Sequence, residues 1–239
     1  MSKSRKTGQQ AEATAVADAD GLERDLEELL DALEPYSISL SSGSDARIRV
    51  FARELVSWND RHNLLSRMDV HNVIRKHVAA SLGVLLIADP IGGQRWIDVG
   101  TGAGFPGMIL KLALPELDIT LVDSSKKRCA FLDHVSRTID LNTAVLPMRA
   151  EAVIAHRGGK KAFDVVTSRA VASLQDSVRA FSPLLAPGGL FVTFKGPGWK
   201  EELAVAAEGG ALEQGRVTFE SVTRVPWTQA HLVTLRAAT

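Results

Sequence analysis

Residues 95–107 read R-W-I-D-V-G-T-G-A-G-F-P-G, and this stretch decides the fold. A short apolar run, Trp96, Ile97 and Val99, carries one acid, Asp98, and then breaks into a loop with glycine at 100, 102, 104 and 107. A helical pattern follows over 105–114, with Pro106 in its first turn, where a missing N–H costs the helix nothing. The reading is strand, tight loop, helix N-terminus. Glycines let the backbone turn sharply and approach a ligand closely. The start of a helix offers free N–H groups and the positive end of a dipole.

Two ligands compete for such a loop. Gly102 to Gly107 satisfies the dinucleotide pattern G-x-G-x-x-G, and Asp123 lies at the expected ~20 residues further on. Read one register earlier, Asp98-x-Gly100-x-Gly102-x-Gly104 is the pattern of S-adenosylmethionine (SAM) enzymes. The acid separates the two. A pyrophosphate is repelled by a neighbouring carboxylate, whereas the ammonium of a methionine moiety is attracted by one.

The rest of the chain supports a parallel sheet. Strands are predicted at 95–99, 118–123, 143–148, 163–168 and 190–195, with helices between them at 105–114, 125–140, 150–156 and 173–186. This alternation implies an α/β fold with helices on both faces of a parallel sheet. No element is assigned between 196 and 215. Strands at 216–225 and 230–236 follow, separated by Pro226-Trp227-Thr228-Gln229, and should close as an antiparallel hairpin. Five βα units and a terminal hairpin give the Rossmann-like methyltransferase layout, a mostly parallel seven-stranded sheet. A dehydrogenase would repeat the βαβ unit instead.

Ligands in such sheets sit beyond the carboxyl ends of the strands. Those ends carry the glycine loop, then Asp123, placed to accept ribose hydroxyls, then Arg149-Ala150-Glu151, where a backbone N–H and a carboxylate can read an adenine edge. Ser168-Arg169-Ala170 and Lys195-Gly196-Pro197-Gly198 complete the set.

Ahead of the sheet, residues 1–21 are polar and read as a disordered tail. Residues 22–90 read as a helical subdomain and 91–239 as the SAM-binding domain. Leu22, Leu26, Leu29, Leu30 and Leu33 repeat at helical spacing up to Pro35. Ser44 or Asp45 can cap the next helix, and a third runs over about 70–87. The subdomain is expected to cover one edge of the sheet. Asn59, Asn63 and Ser66 would share a helix face or its frayed end, either solvated or lining a pocket. His77 reads as a hydrogen-bonded structural histidine, because no second ligand stands at metal spacing.

Composition narrows the class. Of 239 residues, 45% are hydrophobic and 23% charged, with 28 basic and 28 acidic side chains, so net charge itself points to no polyanion. One cysteine, Cys129, allows neither an internal disulfide nor a cysteine zinc cluster, so no metal is expected. No signal peptide and no run of ~18 apolar residues is seen, so a cytoplasmic protein without a membrane partner is expected. A monomer is expected. An NAD-dependent oxidoreductase would need an acid such as a Tyr-x-x-x-Lys pair, but the single tyrosine, Tyr36, lies outside the Rossmann part. A non-enzymatic nucleotide-binding module of P-loop type would need G-x-x-x-x-G-K-[ST], which is absent. A methyltransferase for small molecules would need a closed lid, whereas the basic run Lys126, Lys127, Arg128 beside the cleft suits RNA phosphates.

Five stretches together resemble the RsmG (GidB) family, methyltransferases that modify N7 of one guanosine in bacterial 16S rRNA of the small ribosomal subunit. They are W-N-D-R-H-N-L-L-S at 58–66, I-D-V-G-T-G-A-G-F-P-G at 97–107, L-V-D-S-S-K-K-R-C-A-F-L at 121–132, R-A-E at 149–151 and T-S-R-A-V-A-S-L at 167–174. The resemblance implies that Gly100, Phe105, Ala150 and Glu151 contact SAM and that Arg169 lies at both the cofactor and the target guanine. Asp98, Gly102 and Asp123 match the general SAM-enzyme pattern. The family's R-H-x-x-D-S-L stands here as Lys76 to Leu82, with alanine at 80, and its Y-N-L-T as His62 to Leu65. Guanine N7 has an in-plane lone pair, so the implied reaction needs no general base and no catalytic cysteine. Orientation would supply the catalysis. The base must be splayed from its stack, and Phe105 either stacks on it or packs on the methionine arm.

Overall fold

The structure is a computed structural model that describes residues 21–156, 163–169, 172–210, 212 and 217–239. The expected tail, but for Gly21, therefore lies outside the described residues, as does Ala170. Seven strands form one sheet: β1 (Arg95–Val99), β2 (Asp118–Val122), β3 (Ala144–Leu146), β4 (Phe163–Arg169), β5 (Leu185–Lys195), β6 (Val217–Arg224) and β7 (His231–Ala237). Their order is β3-β2-β1-β4-β5-β7-β6, with only β7 running antiparallel to both neighbours. The chain leaves β1 outward to β3 and returns to β4 on the other side. The switch point is thus the gap beyond β1 and β4, where open α/β sheets hold their ligands.

Both faces of the sheet are apolar, and the alternation of residues sorts them. Trp96, Ile119, Leu121, Val165, Leu190, Val192 and Leu232 pack into one core; Ile97, Val99, Val122, Val166, Phe191, Val233 and Leu235 pack into another. Strands buried on both sides have this character. The second core is closed by α8 (Leu174–Phe181) and by α9 (Trp199–Glu208). Helix α9 was unassigned in the sequence: of its described residues only Ala206 is buried, and glycines at 196, 198, 209 and 210 bracket it. Strand β5 begins five residues before the expected start. Leu185 stands opposite Phe163, Ala186-Pro187-Gly188-Gly189 interrupts the register with Gly188 at φ +70°, and regular pairing with β4 starts at Leu190.

The N-terminal helices cover a face of the sheet, not an edge. Helices α1 (21–33), α2 (Ser44–His62), α5 (Gly107–Ala113) and α6 (Lys126–Thr138) share the first core. Phe51 of α2 is wholly buried against Phe105 and Phe131, with ring centroids 5.6 and 5.8 Å away. Neither expected side-chain cap forms on α2; Gly43, at φ +73°, takes the N-cap position. Ser44 instead directs its hydroxyl at the Ala113 carbonyl (2.9 Å), and Arg47 donates to the Leu112 carbonyl (2.8 Å). Both bonds satisfy the carbonyl end of α5. Ser44→Ala is expected to lower stability by about 1 kcal/mol in urea unfolding.

The expected third helix is broken. Ser66 caps α3 (Arg67–His71) by accepting from the Asp69 N–H, so the helix starts earlier than its apolar pattern. After Asn72 come a π-type turn (Val73–Val78), α4 (Ala79–Leu82) and a 3-10 turn (Gly83–Leu86). Asn59, Asn63 and Ser66 are spent on this junction. Asn63 ends α2 at φ +48°, and buried Asn59 accepts from the Leu65 N–H at 2.8 Å.

Candidate active site

The loop after β1 is tied down at each turn. Gly100, Gly102 and Gly104 hold φ of +72°, +61° and +104°, a region side chains disfavour. The N–H groups of Gly100 and Thr101 donate to the Val122 carbonyl at the end of β2 (2.8 and 3.0 Å). The Gly102 N–H donates to Asp123 Oδ2 (2.9 Å), while the Ser125 N–H holds Asp123 Oδ1 (2.8 Å). Asp123 therefore fixes the loop and keeps spare lone pairs.

Asp98 has a different place from the one its motif suggested. It is fully buried beneath the loop, where Oδ2 accepts from the Gly107 N–H (2.9 Å) and Oδ1 from the Thr167 hydroxyl (2.8 Å). It is not among the residues that line the cavity. Burial pushes its carboxyl upward, opposed by the Gly107 and Thr167 hydrogen bonds and by Arg169. The first N–H of α5 is consumed by this bond, so the helix start is not a free anion site.

A cavity of about 580 Å³ opens over the loop, of a size that suits a nucleoside-bearing ligand. Gly100, Gly102, Phe105, Asp123, Arg128, Ala150, Glu151 and Arg169 all line it. Ala150 and Glu151 open α7 (Ala150–His156). Sequence reasoning missed Leu64 and Leu65, from the junction after α2, and Met148 and Phe181, which add apolar walls. A pocket for a flat base is apolar with few polar groups, so these residues were predictable only as core. Of the basic run, Lys126 and Lys127 lie outside the cavity. Lys127 donates to the His62 carbonyl, and Arg128 reaches Asp123 at 3.5 Å. Lys195 is drawn away, to Glu202 (2.7 Å) and the Ala172 carbonyl. Cys129 is buried, its thiol donating to the Asp123 carbonyl (3.3 Å), and burial pushes its pKa up, so it is no nucleophile.

Two residues of the far wall, Arg169 and Phe105, stand in contact with His77, which lies behind it outside the cavity. The Arg169 guanidinium lies 5.0 Å from the Phe105 ring centroid, a cation–π distance, and the His77 ring lies 5.0 Å from the same ring at 31°. Burial lowers Arg169 to about 10, which leaves it charged near neutrality. Burial, helped by Arg169, lowers His77 to about 4. A histidine held neutral in the fold but free to protonate when unfolded removes stability as pH falls from about 6.5 to about 4. The loss should reach order 2–3 kcal/mol, and His77→Gln should abolish that component in urea titrations at pH 7.5 and 4.5.

The residues fit SAM by their chemistry. Asp123 and exposed Glu151 offer acceptors to ribose hydroxyls and an exocyclic amine, and a Cβ on Gly102 would meet only the Gly100 carbonyl, at 4.0 Å, so the loop leaves room above it. Comparison with known proteins agrees. A family model described as GidB, rRNA small subunit methyltransferase G, matches residues 44–233. A ribosomal RNA small subunit methyltransferase G from Carboxydothermus hydrogenoformans is 42% identical over 172 residues, 72% of this chain and 73% of its own. Another, from Halalkalibacterium halodurans, is 34% identical over 89% of this chain and 90% of its own. Among solved structures, TrmN from Thermus thermophilus superposes with a TM-score of 0.51 at 19% identity, over 66% of this chain and 48% of that one. A methyltransferase from Pyrococcus furiosus gives 0.50 at 17%, over 67% and 83%. These two show a shared Rossmann-like fold.

Proposed function

The chain belongs to the GidB family, rRNA small subunit methyltransferase G, and from that premise we propose that it transfers the methyl group of SAM to N7 of one guanosine in 16S rRNA. The observation that carries the site reading is the convergence of Gly100, Asp123, Glu151 and Arg169 on one cavity at the switch point of the sheet. SAM, when bound, supplies an electrophilic methyl on a sulfonium.

The chain's residues then do four things. Asp123 accepts the ribose hydroxyls through its spare lone pairs while holding the loop. The Ala150 N–H and Glu151 carboxylate read the adenine edge, with Leu64, Leu65, Met148 and Phe181 closing over its faces. Phe105, pinned between Phe51 and Arg169, walls the methyl-bearing end and excludes water. Arg169 holds the target guanine by O6 or by a phosphate, because a cation does not stabilise a ring that is gaining positive charge. No residue needs to take a proton, since N7 attacks with a free lone pair. The rate gain comes from keeping N7, methyl carbon and sulfur in line, worth up to ~7–11 kcal/mol. Lys126, Lys127 and Arg128, in the first turn of α6, would meet RNA phosphates.

The enzyme is read as a monomer acting in the cytoplasm, where its rRNA substrate is. Among the described residues no helix is long and apolar enough to cross a membrane. Calorimetry tests the donor site. SAM should bind saturably, and Glu151→Ala should weaken it about three- to tenfold, the value of one or two modest hydrogen bonds. NADH binding that SAM fails to displace would contradict the reading and favour an oxidoreductase.

A further inference from the structure

Beside the first cavity lies a second and larger one, of about 990 Å³, and Arg169 lines both. We propose that this second cavity seats the target nucleoside and that His77 is the positioning residue that hydrogen-bonds its base; the proposal rests on the function given above.

His77 is 6% exposed, and neither ring nitrogen has a hydrogen-bond partner. Its closest acid, Asp69, stands 3.5 Å from Nε2, too far for a good bond, and that carboxylate is engaged by Lys76 and Ser66. Buried polar atoms without partners are rare in folded proteins and costly unless something satisfies them. A metal is a poor candidate, as no cluster of three metal-binding side chains exists among the described residues. His77 lines a cavity whose other walls suit a nucleotide, and its two nitrogens lie just beneath that wall. Arg224 supplies positive charge for a phosphate, and Trp227 offers a face for stacking. Trp227 is held rigidly, its Nε1 donating to the Ala79 carbonyl (2.8 Å) and its ring edge-on to Tyr36 at 5.2 Å.

The chemistry matches guanine. A neutral imidazole presents one N–H and one acceptor nitrogen. The N–H can donate to guanine O6, or the bare nitrogen can accept from N1–H. Either bond leaves N7 unoccupied for the methyl. Phe105, a wall of the first cavity, touches both His77 and Arg169, and Arg169 lines both cavities, so a base held by His77 sits where its N7 edge can turn toward the donor.

The test uses the full chain and rRNA from a strain lacking the gene. His77→Ala should keep SAM affinity within about twofold and lower kcat/KM for the RNA about a hundredfold. His77→Gln, which retains one donor and one acceptor, should recover about tenfold of that loss. Guanosine monophosphate should shift the His77 imidazole nitrogen resonances in the wild-type chain. Wild-type kcat/KM in both variants would overturn the proposal, and so would a parallel loss of SAM affinity, which would mean that His77 only supports Phe105. A wild-type chain that binds SAM but methylates no RNA would overturn the function itself, and is read separately from the variants.

Discussion

Gly107→Ala is expected to lower folding stability by about 2–4 kcal/mol and SAM affinity more than tenfold. A Cβ at this position would stand 2.4 Å from Leu121 Cδ2, 2.6 Å from Asp98 Cβ and 2.8 Å from Asp98 Oδ2. None of these atoms can yield cheaply. Leu121 and Asp98 are both fully buried, one on β2 and one on β1, the central strand of the parallel half. The start of α5 must therefore move away from the sheet. Moving it breaks the Gly107 N–H bond to Asp98 and leaves a buried carboxylate with one partner fewer. The glycine loop, strung between β1 and α5, moves with it. Urea unfolding and calorimetry on one preparation read both effects. An unchanged SAM affinity in the variant would show that the loop does not hold the donor.

Arg169→Ala is expected to lower methyl transfer to RNA at least about a hundredfold, the order of effect that misplacing a reacting group produces. SAM affinity should change far less, because Asp123, Glu151 and the loop backbone remain. Arg169 carries the only charge over the Phe105 ring among the described contacts, and it is the residue common to both cavities. Its loss frees Phe105 to tilt and withdraws a cation that offsets the Asp98 charge, so a modest stability loss should accompany the rate effect. Arg169→Lys restores charge but not the planar fork, and should recover only part of the rate. Single-turnover transfer, with SAM saturating, separates the two. A variant with wild-type turnover would remove Arg169 from the reaction.

The sheet was legible in the sequence because strands buried on both faces are written as short apolar runs with turn residues between them. The hairpin was legible because the connection between its strands is short, six residues between Arg224 and His231 against the four expected. What escaped was set by tertiary context. Helix α9 buries too little to show a periodic stripe, and glycines at both ends imitate a loop. Strand β5 carries an Ala-Pro-Gly-Gly interruption near its start, with Gly188 at φ +70°, and only the pairing of Leu185 and Leu190 with β4 on either side makes it one strand. The helix expected over 70–87 broke because Ser66 and Asn72 bind backbone groups locally, a choice that apolar spacing does not register. Asp98 shows the limit of motif reading most clearly. Its position in the pattern was right, but which way a strand residue's side chain faces depends on register, and here it faces α5. His77 looked like a satisfied core histidine; that its nitrogens lack partners is visible only once the neighbouring helices and the hairpin are in place.

The most direct measurement is transfer of labelled methyl from SAM to rRNA from a strain lacking this gene, followed by digestion and mass spectrometry of the labelled nucleoside. The predicted result is 7-methylguanosine at one position of 16S rRNA. Saturable SAM binding with no label in any RNA would contradict the rRNA reading and move the acceptor to a small molecule or a protein.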